Sequence, residues 1–231
     1  AVELWSWQGR DLRALRAAAD RAGIPVCCCD GDGPFSLIDP GQRADYLAFL
    51  ARSLEAARTL GARGVTVHAD ALDDTGAVIL PPAGLSPTVK LCSLYDGLAA
   101  SAALAERAGV DLYLEPLNVT GDHPGAFLRD TRTAAELVRL IGSPRLRVLY
   151  DIYHMQLSEG DLCGAIRRYA GAFGHVHAAD APGRHEPGTG EIAFPRVLRA
   201  LERSGYTGYV SFELFPARST AEAVRAIRAL W

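Results

Sequence analysis

Three carboxylates and one imidazole recur at a regular spacing late in the chain. Glu115, Asp151, His177 and Glu213 are separated by 36, 26 and 36 residues, and each closes a short apolar run. Such a period fits one strand–helix unit per step, so four neighbouring parallel strands would aim the four side chains at one point. Three carboxylates in one small site raise one another's pKa unless a cation sits among them. Oxygen donors with a single imidazole suit Mg²⁺ or Mn²⁺, with Co²⁺ or Zn²⁺ as alternatives. Taken singly, each residue could equally be a cap or a salt-bridge partner; the shared register favours a site.

Other residues cluster around these four. His154 follows Asp151 by three positions, in Tyr150-Asp151-Ile152-Tyr153-His154, and can reach over a metal toward a ligand. His175 and His177 share one face of a strand because the side-chain period is two; His177 is the better ligand, and His175 orients a ligand or fills a lower layer. Arg184 lies in a loop of two prolines and three glycines, Ala178 to Glu191, and can clamp a substrate carboxylate through paired N–H groups. In the same loop Gly188-Thr189-Gly190 is either a tight turn or an anion cradle ahead of a helix. Trp5 and Trp7 can wall an apolar side of a pocket or pack in the core. His68 can bind a substrate oxygen or stand behind a ligand. Lys90 is the only lysine, hence the only Schiff-base candidate. The run Cys27-Cys28-Cys29 cannot converge on one metal, since strand neighbours point to opposite faces. With Cys92 and Cys163 it makes an odd count, unlike a disulfide framework, and suits buried thiols in a cytoplasmic protein.

The elements that must position these residues follow from the alternation of short β-branched runs with long Ala/Leu/Arg-rich amphipathic ones. Strands are expected at Val2–Trp5, Ile24–Cys29, Val65–His68, Val110–Glu115, Leu146–Asp151, Phe173–His177 and Tyr209–Glu213. Helices are expected at Leu12–Ala22, over about 20 residues ending near Gly61, and at Thr88–Arg107, Thr131–Ile141, Asp161–Ala170, Ile192–Ser204 and Thr220–Leu230. Seven strand–helix units mean parallel strands with helical crossovers. The expected fold is an α/β protein, a (β/α)₈ TIM barrel forming a single domain over residues 1–231. Such a barrel needs eight strands, and the chain starts inside a strand, so the first βα unit is expected to be absent. An open doubly wound sheet is the alternative, but no GxGxxG follows an early strand. In a barrel the site lies at the C-terminal strand ends, which here are Trp5, Asp30, His68, Glu115, Asp151, His177 and Glu213.

Composition removes whole classes. The 231 residues are 49% hydrophobic and 22% charged, which excludes disorder, collagen and coiled coil. A net charge of −3 is poor footing for nucleic acid, whose binding is dominated by phosphate contacts. No apolar run approaches the ~18 residues of a membrane span. Nor does Ala1-Val2-Glu3-Leu4 show the basic start of a secretory signal, and a cytoplasmic location is expected.

Four segments carry a family resemblance. Leu114-Glu115-Pro116-Leu117-Asn118, Tyr150 through Gln156, Gly174 through Asp180, and Pro182-Gly183-Arg184 with Glu186 through Ile192 resemble the hydroxypyruvate isomerase family. That family belongs to the xylose isomerase-like barrels, with the ketose 3-epimerases and endonuclease IV. The resemblance implies a divalent metal held by Glu115, Asp151, His177 and Glu213. It makes Glu115 and Glu213 the acid/base pair, with His154 and Arg184 as substrate contacts. The position of His177 is often Gln in hydroxypyruvate isomerases and His in the 3-epimerases. The expected function is a metal-assisted isomerase working through an enediolate, converting hydroxypyruvate to tartronate semialdehyde. A ketose 3-epimerase is the alternative. An endonuclease IV-like enzyme would want more His ligands, several Zn²⁺ and a basic groove, against six His and a net charge of −3. A non-catalytic sugar-binding barrel would need one glutamate out of reach. The expected partner is a small keto acid or sugar, with neither nucleic acid nor membrane; a homo-oligomer is compatible with all of this.

Overall fold

Apolar strands alternate with amphipathic helices throughout the computed structural model, which describes residues 1–73, 75–79 and 84–231. In chain order the elements are β1 (Val2–Leu4), α1 (Leu12–Ala22), β2 (Val26–Asp30), α2 (Arg43–Leu60), β3 (Gly64–Val67), β4 (Ala71–Leu72) and β5 (Val78–Ile79). There follow α3 (Pro87–Ala108), β6 (Asp111–Leu114), α4 (Thr131–Ile141), β7 (Leu146–Asp151), α5 (Ile152–Ser158) and α6 (Leu162–Tyr169). The chain ends with β8 (Phe173–Ala178), α7 (Phe194–Arg203), β9 (Val210–Phe212) and α8 (Thr220–Arg228).

Seven strands form one parallel sheet in the order β1-β2-β3-β6-β7-β8-β9. It curls into a nearly closed α/β barrel. The crossover helices cover its outer face, where Leu50, Leu94, Leu98, Val65, Leu112 and Val148 belong to one continuous core. Helix limits follow local chemistry. Asp11 and Asp130 accept from the first-turn N–H groups of Ala14 and Thr133 at 2.9 and 2.8 Å, as helix N-caps should. The C-caps Gly23 and Gly109 take φ of 64° and 71°, a left-handed conformation that a Cβ would strain.

Two elements depart from the expected pattern. The residues after Asp151 form helix α5, because Asp151 at once ends β7 and caps α5; seven residues are too few to show a helical period. Part of the long loop from β3 to α3 is an antiparallel hairpin, β4 with β5, turned by Asp73 Oδ1, which accepts from Thr75 N and Ala77 N. The loop's Pro81 and Pro82 lie outside the described residues, and Pro87 opens α3.

The barrel lumen is filled from below. Cys28, Tyr113 and Leu149 pack as a separate buried group, and the Tyr113 ring stacks on His175 at 5.2 Å. Cys29 instead joins the outer core, as strand alternation requires. Between β1 and β9 the sheet has a seam without backbone pairing. A cavity of about 520 Å³ lies there, lined by Val2, Trp5, Tyr209 and Phe212 among others. The flanking helices are lightly covered: α1 buries no residue fully and α8 only Ala223.

Candidate active site

The C-terminal strand ends bring the four expected ligands together. Donor atoms of Glu115, Asp151 and His177 lie within 4.8 Å of one another, and so do those of Asp151, His154 and Glu213. His177 Nδ1 stands 3.6 Å from Glu213 Oε2, which joins the two groups into one site.

Asp151, Glu115 and His177 are each held by the atom they do not turn inward. Asp151 Oδ1 accepts from Tyr153 N and His154 N at 2.7 and 3.1 Å, leaving Oδ2 toward the centre. Glu115 Oε2 pairs with His68 Nε2 at 2.9 Å, and His68 Nδ1 with Asp32 Oδ2 at 2.7 Å. The other Asp32 oxygen accepts from Tyr46 OH at 2.7 Å. His177 Nε2 pairs with Glu3 Oε2 at 2.9 Å. Of the four expected ligands, two leave a buried atom without a hydrogen bond, Glu115 Oε1 and His177 Nδ1, and these face each other at 3.7 Å. Unpartnered buried polar atoms are costly; a carboxylate oxygen and an imidazole nitrogen converging in this way fit a divalent cation.

Burial disfavours charge on Glu115, but the His177 and His68 imidazoles beside it hold its carboxyl well below the usual range. Burial works against protonated His177, while Glu213, Glu115 and Glu3 raise its pKa well above the ordinary value. Asp151 is shifted up by burial and by the Glu115 charge. His154 is pushed down to about 4, chiefly by burial, so its ring is neutral at neutral pH.

The remaining expected residues divide. Arg184, at φ 56°, touches Glu213 Oε2, stands 3.9 Å from Asp151 Oδ2 and lies over the Tyr153 ring at 5.3 Å. Its Nε is buried without a partner. His154 Nε2 is 3.5 Å from Asp151 Oδ2 and 3.9 Å from Glu115 Oε1. His68 has both ring nitrogens engaged, which favours the role behind Glu115 over a substrate contact. Trp5 is outside the carboxylate cluster: it is 59% exposed, meets the edge of Phe215 at 5.9 Å and lines the seam cavity with Glu213. Trp7 packs elsewhere, donating from Nε1 to Ser53 Oγ against Phe49. Lys90 sits over the Phe127 ring. The Gly188-Thr189-Gly190 turn does cradle an anion, the chain's own: buried Asp180 accepts from Gly188 N, Gly190 N and Ile192 N at 2.8, 2.9 and 3.0 Å. His175 fills the lower layer and touches Glu3.

Glu3, Asp32 and Asn118 also reach the site, through His177, His68 and His154, although none is among the expected site residues. Glu3 shares a strand face with Trp5 by alternation, a usable signal. Asp32 lies in a loop with no periodicity to mark it. Burial would raise the Glu3 pKa, but hydrogen bonds from His175 and His177 outweigh it and pull the carboxyl well below normal.

Comparison with known proteins defines the class. The profile of the xylose isomerase-like TIM barrel family matches residues 1–230, and the chain belongs to that family. It is 33% identical to hydroxypyruvate isomerase of Escherichia coli over 186 residues, covering 80% of this chain and 68% of that one. With 2-oxo-tetronate isomerase of Cupriavidus necator it shares 31% over 182 residues, 79% of this chain and 66% of the relative. Among solved structures, 3-keto-D-glucoside 4-epimerase of E. coli superposes with a TM-score of 0.79 at 27% identity, over 95% of this chain and 84% of that one. These relatives make the chain an isomerase of its family. No helix among the described residues is long and apolar enough to cross a membrane.

Proposed function

We propose that this barrel interconverts a small 2-keto acid and its 2-hydroxy aldehyde isomer, with hydroxypyruvate to tartronate semialdehyde as the reaction. The observation that carries the reading is the pair of unpartnered buried atoms, Glu115 Oε1 and His177 Nδ1, among three carboxylates. Glu115, Asp151, His177 and Glu213 would hold one divalent ion, Mg²⁺ or Mn²⁺ by donor type. When bound, such an ion supplies Lewis acidity toward the substrate's carbonyl and hydroxyl oxygens.

The protein's own groups do the rest. One glutamate of the pair Glu115 and Glu213 takes a proton from the hydroxymethyl carbon, giving an enediolate. A glutamate returns a proton to the former carbonyl carbon, while the hydroxyl proton of the neighbouring carbon passes to the former carbonyl oxygen, leaving an aldehyde beside a new hydroxyl. General-base help of this kind typically supplies ~10²–10⁴-fold. Arg184, with Nε unpartnered, holds the substrate carboxylate. His154 contacts a substrate oxygen. Trp5 shields the rim, and His68 steadies Glu115. The free thiols of Cys27, Cys28 and Cys29 fit a reducing, cytoplasmic setting.

A second reading, ketose 3-epimerase, is favoured by the imidazole at position 177, which the resemblance associates with that group. Steady-state kinetics on hydroxypyruvate and on a free ketohexose separate the two. Glu213→Gln should lower turnover by ~10²-fold or more on the true substrate. Arg184→Ala should raise KM for hydroxypyruvate more than for the ketose, through loss of a charge-assisted contact. Near-parental turnover by Glu213→Gln on both compounds would overturn the two-glutamate mechanism.

A further inference from the structure

Asn118 is fully buried, and its own surroundings decide which way its amide points. Its Oδ1 accepts from Gly121 N at 2.9 Å and from Asp122 N at 3.2 Å. The nitrogen end therefore faces Asp122 Oδ2 and His154 Nδ1, each at 2.7 Å. An amide nitrogen only donates, and its two protons match these two neighbours. His154 Nδ1 must then accept, which leaves the single proton of the neutral ring on Nε2. That atom is the one turned to the centre of the site, toward Asp151 Oδ2 and Glu115 Oε1. Arg184 Nη2 lies 3.5 Å from it, but this guanidinium already donates to Glu213, and the shorter Asn118 contact dictates the tautomer.

The two imidazoles at the mouth thus face inward with different atoms. His177 gives its Nε2 to Glu3 and presents Nδ1. His154 gives its Nδ1 to Asn118 and presents Nε2.

We infer that Asn118 is a positioning residue that fixes His154 as a neutral hydrogen-bond donor toward the substrate oxygen on which negative charge develops, and so bars it from acting as the base. This rests on the isomerase reading above. When a glutamate removes the carbon-bound proton, the electron pair moves toward the former carbonyl oxygen. The His154 N–H stabilises that oxygen by a hydrogen bond, with no net proton leaving the ring.

The tautomer can be read directly, before any assay. Long-range ¹⁵N–¹H spectra of the metal-free chain at neutral pH, with His154 assigned through His154→Gln, should show its protonated nitrogen at Nε2. A proton on Nδ1 would overturn the inference. The paired variant Asn118→Asp with Asp122→Asn keeps an acceptor for the two backbone N–H groups and a hydrogen bond between the side chains. It reverses the polarity toward His154. The proton should move to Nδ1, and turnover on hydroxypyruvate should fall by ~10²-fold, as for loss of one oxyanion donor, with KM changed less than kcat. Asp122→Asn alone retains the Asn118 donor and should keep both the tautomer and most of the turnover. A flipped tautomer with unchanged turnover would sink the proposed role. If the parent turns over neither hydroxypyruvate nor a ketose, the isomerase reading falls with the donor role, while the spectra still decide the Asn118 assignment.

Discussion

At the scale of single residues, three side chains of the site divide their labour between their own atoms. Asp151 uses one oxygen to cap α5 and keeps the other for the centre. Glu115 leans on His68 with one oxygen, and His177 on Glu3 with one nitrogen. Supporting partners of this kind orient ligands and set their basicity. A different carboxylate nearby is under stress. Asp30, at the end of β2, is pushed up to about 7 by burial and by the neighbouring Asp32 charge. An unfolded Asp titrates near 3.9, so between about pH 4 and pH 7 the folded chain binds more protons than the unfolded one. Stability on this account falls as pH rises through that window. Asp30→Asn removes the penalty while keeping an acceptor for Asp32 N. Calorimetry should show its Tm matching the parent's at or below about pH 4 and exceeding it by about 4 °C or more at pH 8. Parallel Tm–pH curves for the two proteins would refute the assignment.

At the scale of elements, strand alternation explains both the site and the floor beneath it. Tyr113 and Glu115 lie two apart on the β6 segment, so the phenol packs in the lumen below the carboxylate. Two glycines make room for it. A Cβ on Gly64 would stand 2.4 Å from Tyr113 Cε2, and one on Gly174 2.8 Å from Cε1. The ring is hemmed on both edges and cannot swing away. Gly64→Ala should therefore destabilise the fold by roughly 1–3 kcal/mol, the range for overpacking. Urea denaturation should show most of that loss disappearing in a Tyr113→Leu background, because the clash is with the ring itself. A loss of the same size in both backgrounds would point to the Asp111 carbonyl, 2.9 Å away, instead. The strands and long helices were legible in the sequence because periodicity and caps mark them. Helix α5 was not, because its N-cap is also the last residue of a strand. Neither was the Gly188–Gly190 turn's occupant, since nothing local says that Asp180, eight residues earlier, reaches back to fill it.

At the scale of the molecule, the seam between β1 and β9 is the weak side of the barrel. Side chains cross it, with Ser211 Oγ donating to Glu3 Oε1 at 2.9 Å, but no backbone ladder does. Val2, Trp5 and Phe215 are 43%, 59% and 53% exposed near it. Unpaired strand edges and exposed apolar side chains are a liability. One parallel strand–helix unit joined ahead of Ala1 should pair into the seam, bury these residues and raise Tm by several degrees. Differential scanning calorimetry of the extended and present chains tests this, and an unchanged Tm would show the seam already satisfied.

The sequence by itself determined the parallel barrel class and the four residues of the carboxylate–imidazole cluster. Both follow from periods, of strand faces and of strand–helix units, which are local and survive in one dimension. Tertiary structure alone decided which atom of each residue is free. Glu3 meets His177 across 174 positions, and Asp32 reaches Glu115 through His68. Hydrogen bonds between side chains are short-ranged in space and leave no period along the chain, so the orientation of an imidazole or an amide appears only when the barrel brings its partner within 3 Å.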